Sequence, residues 1–229
     1  MIPWIDRPEQ LPPVEQALQA PSGLLAASGE LSVEWLLVAY RRGIFPWFNP
    51  GQPVLWWSPD PRMVLRPDQL HVPHSLVRTM RKNPYEIRTD TVFESVMREC
   101  AAPRRGADGT WIDERMIAAY SGLWRAGHAH SIEAWEQDEL VGGLYGVAIG
   151  KAFFGESMFA RRSDASKIAF VRLIRRLQTL GFGLIDCQMY TDHLARFGAA
   201  EIPRSMFLQQ LDRAAGEDAP VWRTGLMDD

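Results

Sequence analysis

The sequence predicts an α+β fold in which a small N-terminal domain precedes a mixed β-sheet flanked by helices. Three observations favour this class. The first 60 residues combine many prolines with a cluster of aromatic residues, residues 131–159 have the pattern of three consecutive strands, and residues 165–188 have the pattern of a long amphipathic helix followed by a short apolar strand. We therefore expect two domains, residues 1–60 and residues 61–229.

The N-terminal domain is expected to be rich in loops and to be held together by aromatic side chains. Residues 1–30 contain many prolines and glycines and predict an irregular arm. Ser32 is a suitable N-cap for a helix that continues to about Arg42, and Gly43 is a suitable stop. The aromatic residues of Phe45–Trp57 are typical of a compact core, although aromatic rings stiffened by prolines also form platforms on which RNA bases stack.

A helix predicted at Pro73–Asn83 has a cationic face. Its basic and apolar side chains fall on opposite sides at helical spacing. The basic side, named the cationic face below, comprises His74, Arg78, Arg81 and Lys82. Such a face is usually only solvated, but in a chain of net charge −3 it is also suited to contact a phosphate backbone.

Two further helices are predicted before the central strands. Thr91 and Glu94 have the spacing of a capping box for a helix that continues to Cys100. A basic loop, Arg104–Gly109, leads to a helix over Asp113–Arg125.

The central strands are predicted from their alternating β-forming residues. Ser131–Trp135 and Leu140–Ile149 are expected to form an antiparallel hairpin, and Lys151–Phe159 is expected to form a third strand. A helix over Ala165–Leu180 and a short strand, Leu184–Gln188, follow.

Polar side chains on two of these strands predict a pocket. Because side chains alternate along a strand, Asp186 and Gln188 are expected to share one face, and Glu156 and Met158 are expected to share a face with Phe154. Glycines beside Glu156 are typical of places where a ligand or another backbone comes close. Neighbouring strands of this kind would form a pocket that is half polar and half apolar. Taken alone, such carboxylates are more often structural hydrogen-bonding partners.

Composition excludes several classes of protein. The chain has 229 residues, of which 46% are hydrophobic and 23% are charged, as is typical of globular proteins. Its apolar runs are far shorter than the roughly 20 residues of a membrane helix, and its net charge of −3 argues against indiscriminate binding of nucleic acid. Two cysteines are too few for a disulfide framework, and no His or Cys spacing predicts a zinc site. We expect a protein of the reducing cytoplasm that holds no metal.

Five short blocks occur in order along the chain: Gly43–Phe48, Trp56–Arg62, Gly109–Ile112, Gly155–Phe159 and Ile185–Gln188. Together they resemble the bacterial leucyl/phenylalanyl-tRNA–protein transferase family. The resemblance implies an acetyltransferase-like (GNAT) fold for the second domain. It also implies transfer of Leu, Phe or, less well, Met from aminoacyl-tRNA to proteins that begin with Arg or Lys, which marks them for N-degron proteolysis. The implied enzyme is cytoplasmic, needs no cofactor and is expected to be a monomer.

The resemblance also implies roles for individual residues. Trp47 and Trp111 would hold the 3′-terminal adenosine of the tRNA. The residues implied to line the pocket for the Leu or Phe side chain are Phe153, Met158 and Ile185.

The remaining implied roles concern the acceptor protein and the body of the tRNA. Glu156, Asp186 and Gln188 would face the acceptor N-terminus, with Asp186 and Gln188 as the catalytic pair. The cationic face would meet the tRNA body, and His74 stands there where the family usually has another arginine.

The implied reaction needs positioning more than it needs a strong base. An aminoacyl ester is already activated, and holding two reactants together supplies roughly 7–11 kcal/mol of barrier reduction. The amide of Gln188 can accept a hydrogen bond from the attacking amine but cannot act as a base. Asp186 would stabilise positive charge on the attacking nitrogen. The proton could pass to Asp186, to the 2′-hydroxyl of the tRNA or to water, and the sequence leaves this open.

Two other functions compete with this interpretation. An acyl-CoA-dependent acetyltransferase of the same fold would need a glycine-bearing loop to hold the pyrophosphate, whereas the corresponding loop, Arg161–Ser166, has no glycine. A non-catalytic RNA-binding module would account for the cationic face and the tryptophans. It would not account for Glu156, Asp186 and Gln188 beside an apolar pocket.

Overall fold

The computed structural model describes residues 1–103 and 111–227, and these residues form two β-sheets. The smaller sheet has the strand order β1-β2-β4-β3. Its strands are β1 (Trp4–Ile5), β2 (Leu24–Ser28), β3 (Phe45–Pro46) and β4 (Val54–Trp57). The basic loop predicted at residues 104–109 lies outside the described residues.

The larger sheet has eight strands in the order β11-β5-β10-β9-β8-β7-β6-β12. They are β5 (Arg62–Leu65), β6 (Glu86–Thr89), β7 (Ala129–Glu136), β8 (Glu139–Ile149), β9 (Ala152–Ala160), β10 (Leu184–Gln188), β11 (Ala200–Ile202) and β12 (Gly225–Leu226). Strands β9 and β10 pair in parallel, and the other neighbouring strands of the described sheet pair antiparallel.

Helices cover both faces of the larger sheet. The α-helices of the described residues are α1 (Val33–Arg41), α2 (His74–Arg81), α3 (Phe93–Ala101), α4 (Glu114–Arg125), α5 (Ala165–Thr179), α6 (Asp192–Ala195) and α7 (Arg204–Ala215). Helix α5 packs on β7, β8 and β9 and is joined by α2, whereas α3 and α4 pack on the opposite face. Since α5 also connects β9 to β10, it is the crossover that a parallel pair requires.

A separate hydrophobic core lies on each face of the larger sheet. The core under α5 includes Phe153, Ile185 and Phe197. The core on the opposite face extends into the smaller sheet, where Trp35 and Trp56 stack with their ring centroids 5.5 Å apart. The two sheets therefore share one core, and the domain boundary expected at residue 60 stays a prediction.

Gly43 fixes the position of α1 against α7. Its φ of +70° is a left-handed conformation that L side chains rarely adopt. A Cβ atom at this position would lie 2.8 Å from side-chain atoms of both Phe207 and Leu208 on α7. Glycine is thus required here both by the backbone turn and by the close approach of the two helices.

The main elements predicted from the sequence are present. The β7–β8 hairpin turns at Gln137, which has a φ of +56°, and α5 begins at the predicted residue. The predicted capping box is wrong, because α3 follows Val92 and the Thr91 hydroxyl donates to Glu133 instead of capping the helix. The α+β class, with a mixed sheet flanked by helices and a small N-terminal sheet, is confirmed. The acetyltransferase-like type of the larger sheet stays a prediction.

Within residues 1–103 and 111–227, no helix is both long and apolar enough to span a membrane.

Candidate active site

A cleft opens where the parallel strands β9 and β10 separate. The two strands pair at three positions, and the last of these joins Phe154 to Asp186. Strand β9 continues to Ala160, so residues 155–160 leave an edge that β10 does not cover. A cavity of about 580 Å³ opens along this edge. It lies outside the carboxyl ends of two parallel strands, which is a common place for a ligand site in sheets of this kind.

A β-bulge at Glu156 determines which β9 side chains reach the cavity. The register passes from Gly146↔Gly155 to Tyr145↔Ser157, so Glu156 is the extra residue. An extra residue reverses the alternation of faces beyond it. Met158 therefore packs with the core under α5, whereas Phe154 belongs to the opposite core. The expectation that Met158 shares a face with Phe154 is wrong for this reason.

A second irregularity lies at the end of β10. The register passes from Asp186↔Val64 to Gln188↔Met63, and Gln188 has a φ of +63°. Gln188 consequently turns into the cavity, while Asp186 is 1% exposed and does not line it. The expectation that these two side chains share a face stays a prediction.

The apolar part of the cavity lies under α5. Its lining side chains are all apolar and come from strands and helices on both sides of the cleft: Leu144, Phe153, Met158, Phe170, Leu173, Ile174, Ile185 and Leu194. The ring of Phe153 lies across Gly146, where a Cβ atom would be only 2.5 Å from that ring. Glycine at this position thus allows the Phe153 ring to approach β8 closely and form part of the cavity wall.

Glu156 lies at the polar end of the cavity, within a hydrogen-bonded cluster. Its carboxylate accepts hydrogen bonds from the hydroxyl groups of Tyr40 at 2.6 Å and Tyr120 at 3.2 Å, and the two hydroxyls are 2.5 Å apart. It also accepts a 3.0 Å bond from Nε2 of Gln188. Burial raises the pKa of Glu156 to about 7, and the hydrogen bond from Tyr40 limits that rise. Both protonation states are therefore populated near neutral pH.

Asp186 lies behind Gln188 in a buried ion pair. Nε and Nη2 of Arg62 donate to the two carboxylate oxygens of Asp186 at 2.8 and 2.6 Å, and both side chains are at most 1% exposed. The guanidinium of Arg62 lies over the rings of Phe45 and Phe207, at 4.8 and 4.5 Å from their centroids. Asp186 also accepts a 2.9 Å hydrogen bond from the backbone N–H of Gln188. That bond holds Gln188 in its left-handed conformation.

Tryptophans stand at the mouth of the cavity. Trp47 is 38% exposed, and its ring lies 5.5 Å from that of Trp57, centroid to centroid. Nε1 of Trp57 donates to the backbone oxygen of Trp47 at 2.7 Å and fixes this part of the chain. Trp111 is half-buried and also lines the cavity. The mouth thus presents two indole rings that a planar group can reach.

The cationic face lies on α2, away from the cavity lining. Leu76 is 3% exposed on the inner side of α2, whereas the four basic residues of the cationic face are exposed. Over the described ranges, none of the four lies within 4.0 Å of a carboxylate. Their charge is therefore available to an external anion.

Comparison with known proteins identifies the family. Residues 64–212 match the family described as leucyl/phenylalanyl-tRNA protein transferase, and residues 29–60 match its N-terminal domain. The chain belongs to this family. The transferase of Nitrosomonas europaea is 63% identical over 202 residues, which cover 88% of this chain and 86% of the relative. That of Laribacter hongkongensis is 57% identical over 225 residues, which cover 97% of each chain.

The family name describes an aminoacyltransferase, so the chain is an enzyme whose substrates are an aminoacyl-tRNA and a protein. The solved structure of L-PGS from Bacillus licheniformis also aligns, with 11% identity, coverage of 88% of this chain and 67% of that chain, and a TM-score of 0.39.

The structure brings most of the sequence-predicted site residues together. Most of the predicted residues line the same cavity: Trp47, Trp111, Phe153, Glu156, Met158, Ile185 and Gln188. Asp186 adjoins the cavity through Gln188, and the cationic face lies apart from it. Within the described residues, no three His, Cys, Asp or Glu side chains group as metal ligands.

Sequence reasoning missed three residues of the polar cluster. From the sequence, Arg62 is only the last residue of one block, and Tyr40 is only a residue of the first predicted helix. Tyr120 was not singled out at all. The available signal was general: a buried tyrosine hydroxyl or guanidinium needs a polar partner. The partners themselves lie 116 and 124 residues away for Tyr40 and Arg62.

Proposed function

We propose that this enzyme transfers leucine or phenylalanine, and methionine less well, from aminoacyl-tRNA to proteins whose first residue is Arg or Lys. The observation that carries the proposal is one cavity with an apolar end under α5 and a polar end at the Glu156–Gln188 hydrogen bond. The products carry an N-degron and enter ATP-dependent proteolysis in the cytoplasm. The enzyme acts as a monomer and needs no cofactor, because the ester bond is itself activated.

The apolar end takes the side chain of the transferred amino acid. Phe153, Met158 and Ile185 come from the two separating strands and line this end. Leu, Phe and Met are unbranched at Cβ, whereas Val and Ile are not, so a narrow cavity favours the first three by shape. An apolar cavity discriminates by only about 1–3 kcal/mol per methylene, which is consistent with a family named for two amino acids.

The mouth of the cavity takes the 3′ end of the tRNA. Stacking on an exposed aromatic ring stabilises a base by roughly 1–3 kcal/mol and does not require a particular sequence. Trp47 and Trp111 are placed to stack on the terminal adenine. The unpaired cationic face, His74 with Arg78, Arg81 and Lys82, is suited to contact the phosphates of the tRNA body.

The polar end takes the N-terminus of the acceptor protein. Ionised Glu156 supplies a negative charge that favours a cationic Arg or Lys side chain. Nε2 of Gln188 donates to Glu156, which leaves Oε1 of Gln188 free to accept a hydrogen bond from the α-amino group of the acceptor. This contact aims the nitrogen lone pair at the ester carbonyl.

In the transfer step, the amine nitrogen bonds to the carbonyl carbon and the bond from that carbon to the tRNA oxygen breaks. The nitrogen gives up one proton and the released tRNA oxygen takes up one. Gln188 is the catalytic residue, because its amide touches the attacking group. Asp186 is already paired with Arg62, so we assign it a positioning role through the backbone N–H of Gln188. Its buried charge also favours a positive charge that develops on the nitrogen.

One feature of α5 weighs against transfer from acyl-CoA. A pyrophosphate would dock at the N-terminus of the crossover helix, where backbone N–H groups point outward. In this chain Asp164 occupies the N-cap position of α5 with a φ of +62°, and Nζ of Lys167 pairs with its carboxylate at 2.6 Å. The place where a pyrophosphate would dock is thus occupied by the Asp164–Lys167 pair, and the loop before it has no glycine.

The test is transfer of labelled leucine from leucyl-tRNA to a peptide that begins with Arg, without CoA or ATP. A peptide that begins with Gly and is otherwise identical is the control. We expect incorporation that depends on the first residue. Consumption of acetyl-CoA without transfer would instead establish the acetyltransferase, and tRNA binding with neither activity would leave a binding module.

A further inference from the structure

The C-terminal segment places an indole ring against the core under α5. Trp222 follows α7 and is half-buried. Its ring stacks on His130 of β7 with the centroids 3.9 Å apart and the planes 10° apart, and it lies 6.2 Å from the ring of Phe182 in an edge contact. Three separate parts of the chain are thus joined by one side chain from the C-terminal segment.

The same indole also touches the wall of the aminoacyl cavity. Its centroid is 6.1 Å from that of Phe153, within the 4.5–7 Å range in which aromatic rings attract each other. Phe153 is 1% exposed and lines the cavity with its ring. Trp222 itself does not line the cavity, so it acts on the cavity through Phe153.

Phe153 has few directions in which it can move. Gly146 lies directly beneath its ring, and a Cβ atom there would be 2.5 Å away. The indole of Trp222 lies against another side of the Phe153 ring. The apolar cavity is therefore bounded by a ring whose position depends on the C-terminal segment.

The segment is held in place beyond Trp222. Strand β12 pairs with β6 through Gly225↔Thr89 and Leu226↔Arg88, and the N–H of Met227 donates to the backbone oxygen of Ile87 at 2.8 Å. Trp222 is thus tethered on both sides, by α7 before it and by β12 after it.

We propose that Trp222 is a positioning residue that sets the depth of the aminoacyl cavity by supporting Phe153. The proposal rests on the proposed function, since it assumes that the cavity holds the side chain of the transferred amino acid. With the indole removed, Phe153 can move away from the cavity, and the cavity becomes deeper. A deeper cavity favours the longer Phe side chain over Leu.

The experiment measures kcat/KM for leucyl-, phenylalanyl- and methionyl-tRNA with one Arg-initiated peptide. For Trp222→Ala we expect the ratio of Phe to Leu transfer to rise about fivefold, because a small change in an apolar cavity changes selectivity by about that factor. Trp222→Phe keeps an aromatic ring beside Phe153 and should restore most of the original ratio.

A matched control separates selectivity from simple loss of stability. Trp135→Ala removes another partly buried indole from β7, one that lies over Arg88 and does not line the cavity. It should leave the Phe to Leu ratio unchanged even if total activity falls.

The outcomes distinguish this inference from the proposed function. A wild-type enzyme that transfers no amino acid overturns both. A wild-type enzyme that transfers, combined with a Trp222→Ala variant whose three activities fall in equal proportion, overturns only the role of Trp222. A shifted ratio that Trp222→Phe reverses supports it.

Discussion

The two faces of the larger sheet differ in chemistry where they meet at the cavity. Under α5 the wall is apolar, and Phe153 and Met158 are its β9 residues. On the opposite face lies a polar network in which Arg62 pairs with Asp186 and two tyrosine hydroxyls bond to Glu156. Gln188 lies where the two faces meet, because it bonds to Asp186 and Glu156 of the polar network and also lines the cavity.

The difference shows how each face tolerates change. Apolar burial is non-directional and scales with area, so an apolar wall can readjust at modest cost. A buried ion pair behaves differently, since removal of one partner leaves an uncompensated charge. We therefore expect changes on the polar face to affect stability and rate strongly, and changes on the apolar face to alter selectivity.

The largest expected effect is on stability. Arg62→Met leaves the carboxylate of Asp186 buried without its partner, and this should reduce the free energy of unfolding by about 3–5 kcal/mol. Denaturant unfolding measures the loss. The double variant Arg62→Met/Asp186→Asn, which removes the charge and keeps an acceptor for the N–H of Gln188, should recover much of it.

The matched control for Arg62 is an exposed pair. Arg66 and Asp68 are each 56% exposed and pair at 3.0 Å, so Arg66→Met should change the free energy of unfolding by less than about 1 kcal/mol. Equal losses for the two variants would show that the polar face is no more sensitive than ordinary surface.

The apolar face was easier to predict from the sequence than the polar face. Helical periodicity over 165–180 and alternation over 140–149 are local signals, and they placed α5 and β8 correctly. The cavity residue Phe153, by contrast, was implied by the family resemblance. Local pattern was sufficient for the two elements, because burying an apolar side chain does not require one particular partner.

The polar face depended on features that no local pattern reports. The bulge at Glu156 exists only relative to the register with β8, and one extra residue moved Met158 to the other face. The left-handed conformation of Gln188 depends on Asp186, which in turn depends on Arg62, a residue 124 positions away. Pairings across such distances cannot be read from spacing within a strand.

The second effect concerns the rate of transfer. Gln188→Asn keeps an amide that tolerates the left-handed conformation but withdraws it by one methylene from Glu156. We expect kcat to fall about 100-fold, the scale that a misplacement of about 1 Å produces, while the melting temperature stays close to that of the wild type.

The control for Gln188→Asn is the same substitution at an exposed position. Gln178 lies on the exposed side of α5, so Gln178→Asn should retain full activity. A Gln188→Asn variant of normal rate would mean that the amide does not contact the attacking amine, and the polar face would then be structural only.

The third effect depends on pH. Glu156, with its pKa raised to about 7, is neutral below that pH and ionised above it. The attraction of ionised Glu156 for the Arg side chain of an acceptor therefore increases as the pH rises from 6 to 8. The ratio of wild-type to Glu156→Gln kcat/KM should rise about tenfold across this range, following the ionised fraction. Titration of the acceptor amine cancels in that ratio, and a constant ratio would exclude a role for the Glu156 charge.

The smallest effect tests the apolar face alone. Met158→Ala removes a half-buried side chain from the cavity wall and should lower kcat/KM for leucyl-tRNA about fivefold, which corresponds to about 1 kcal/mol. The KM for the Arg-initiated peptide should not change, because the acceptor contacts lie on the polar face. Met206→Ala, which is on α7 and is 49% exposed, is the control. If Met158→Ala raised the peptide KM as well, the two faces would not act separately, and the acceptor would have to reach beyond Gln188 into the apolar end.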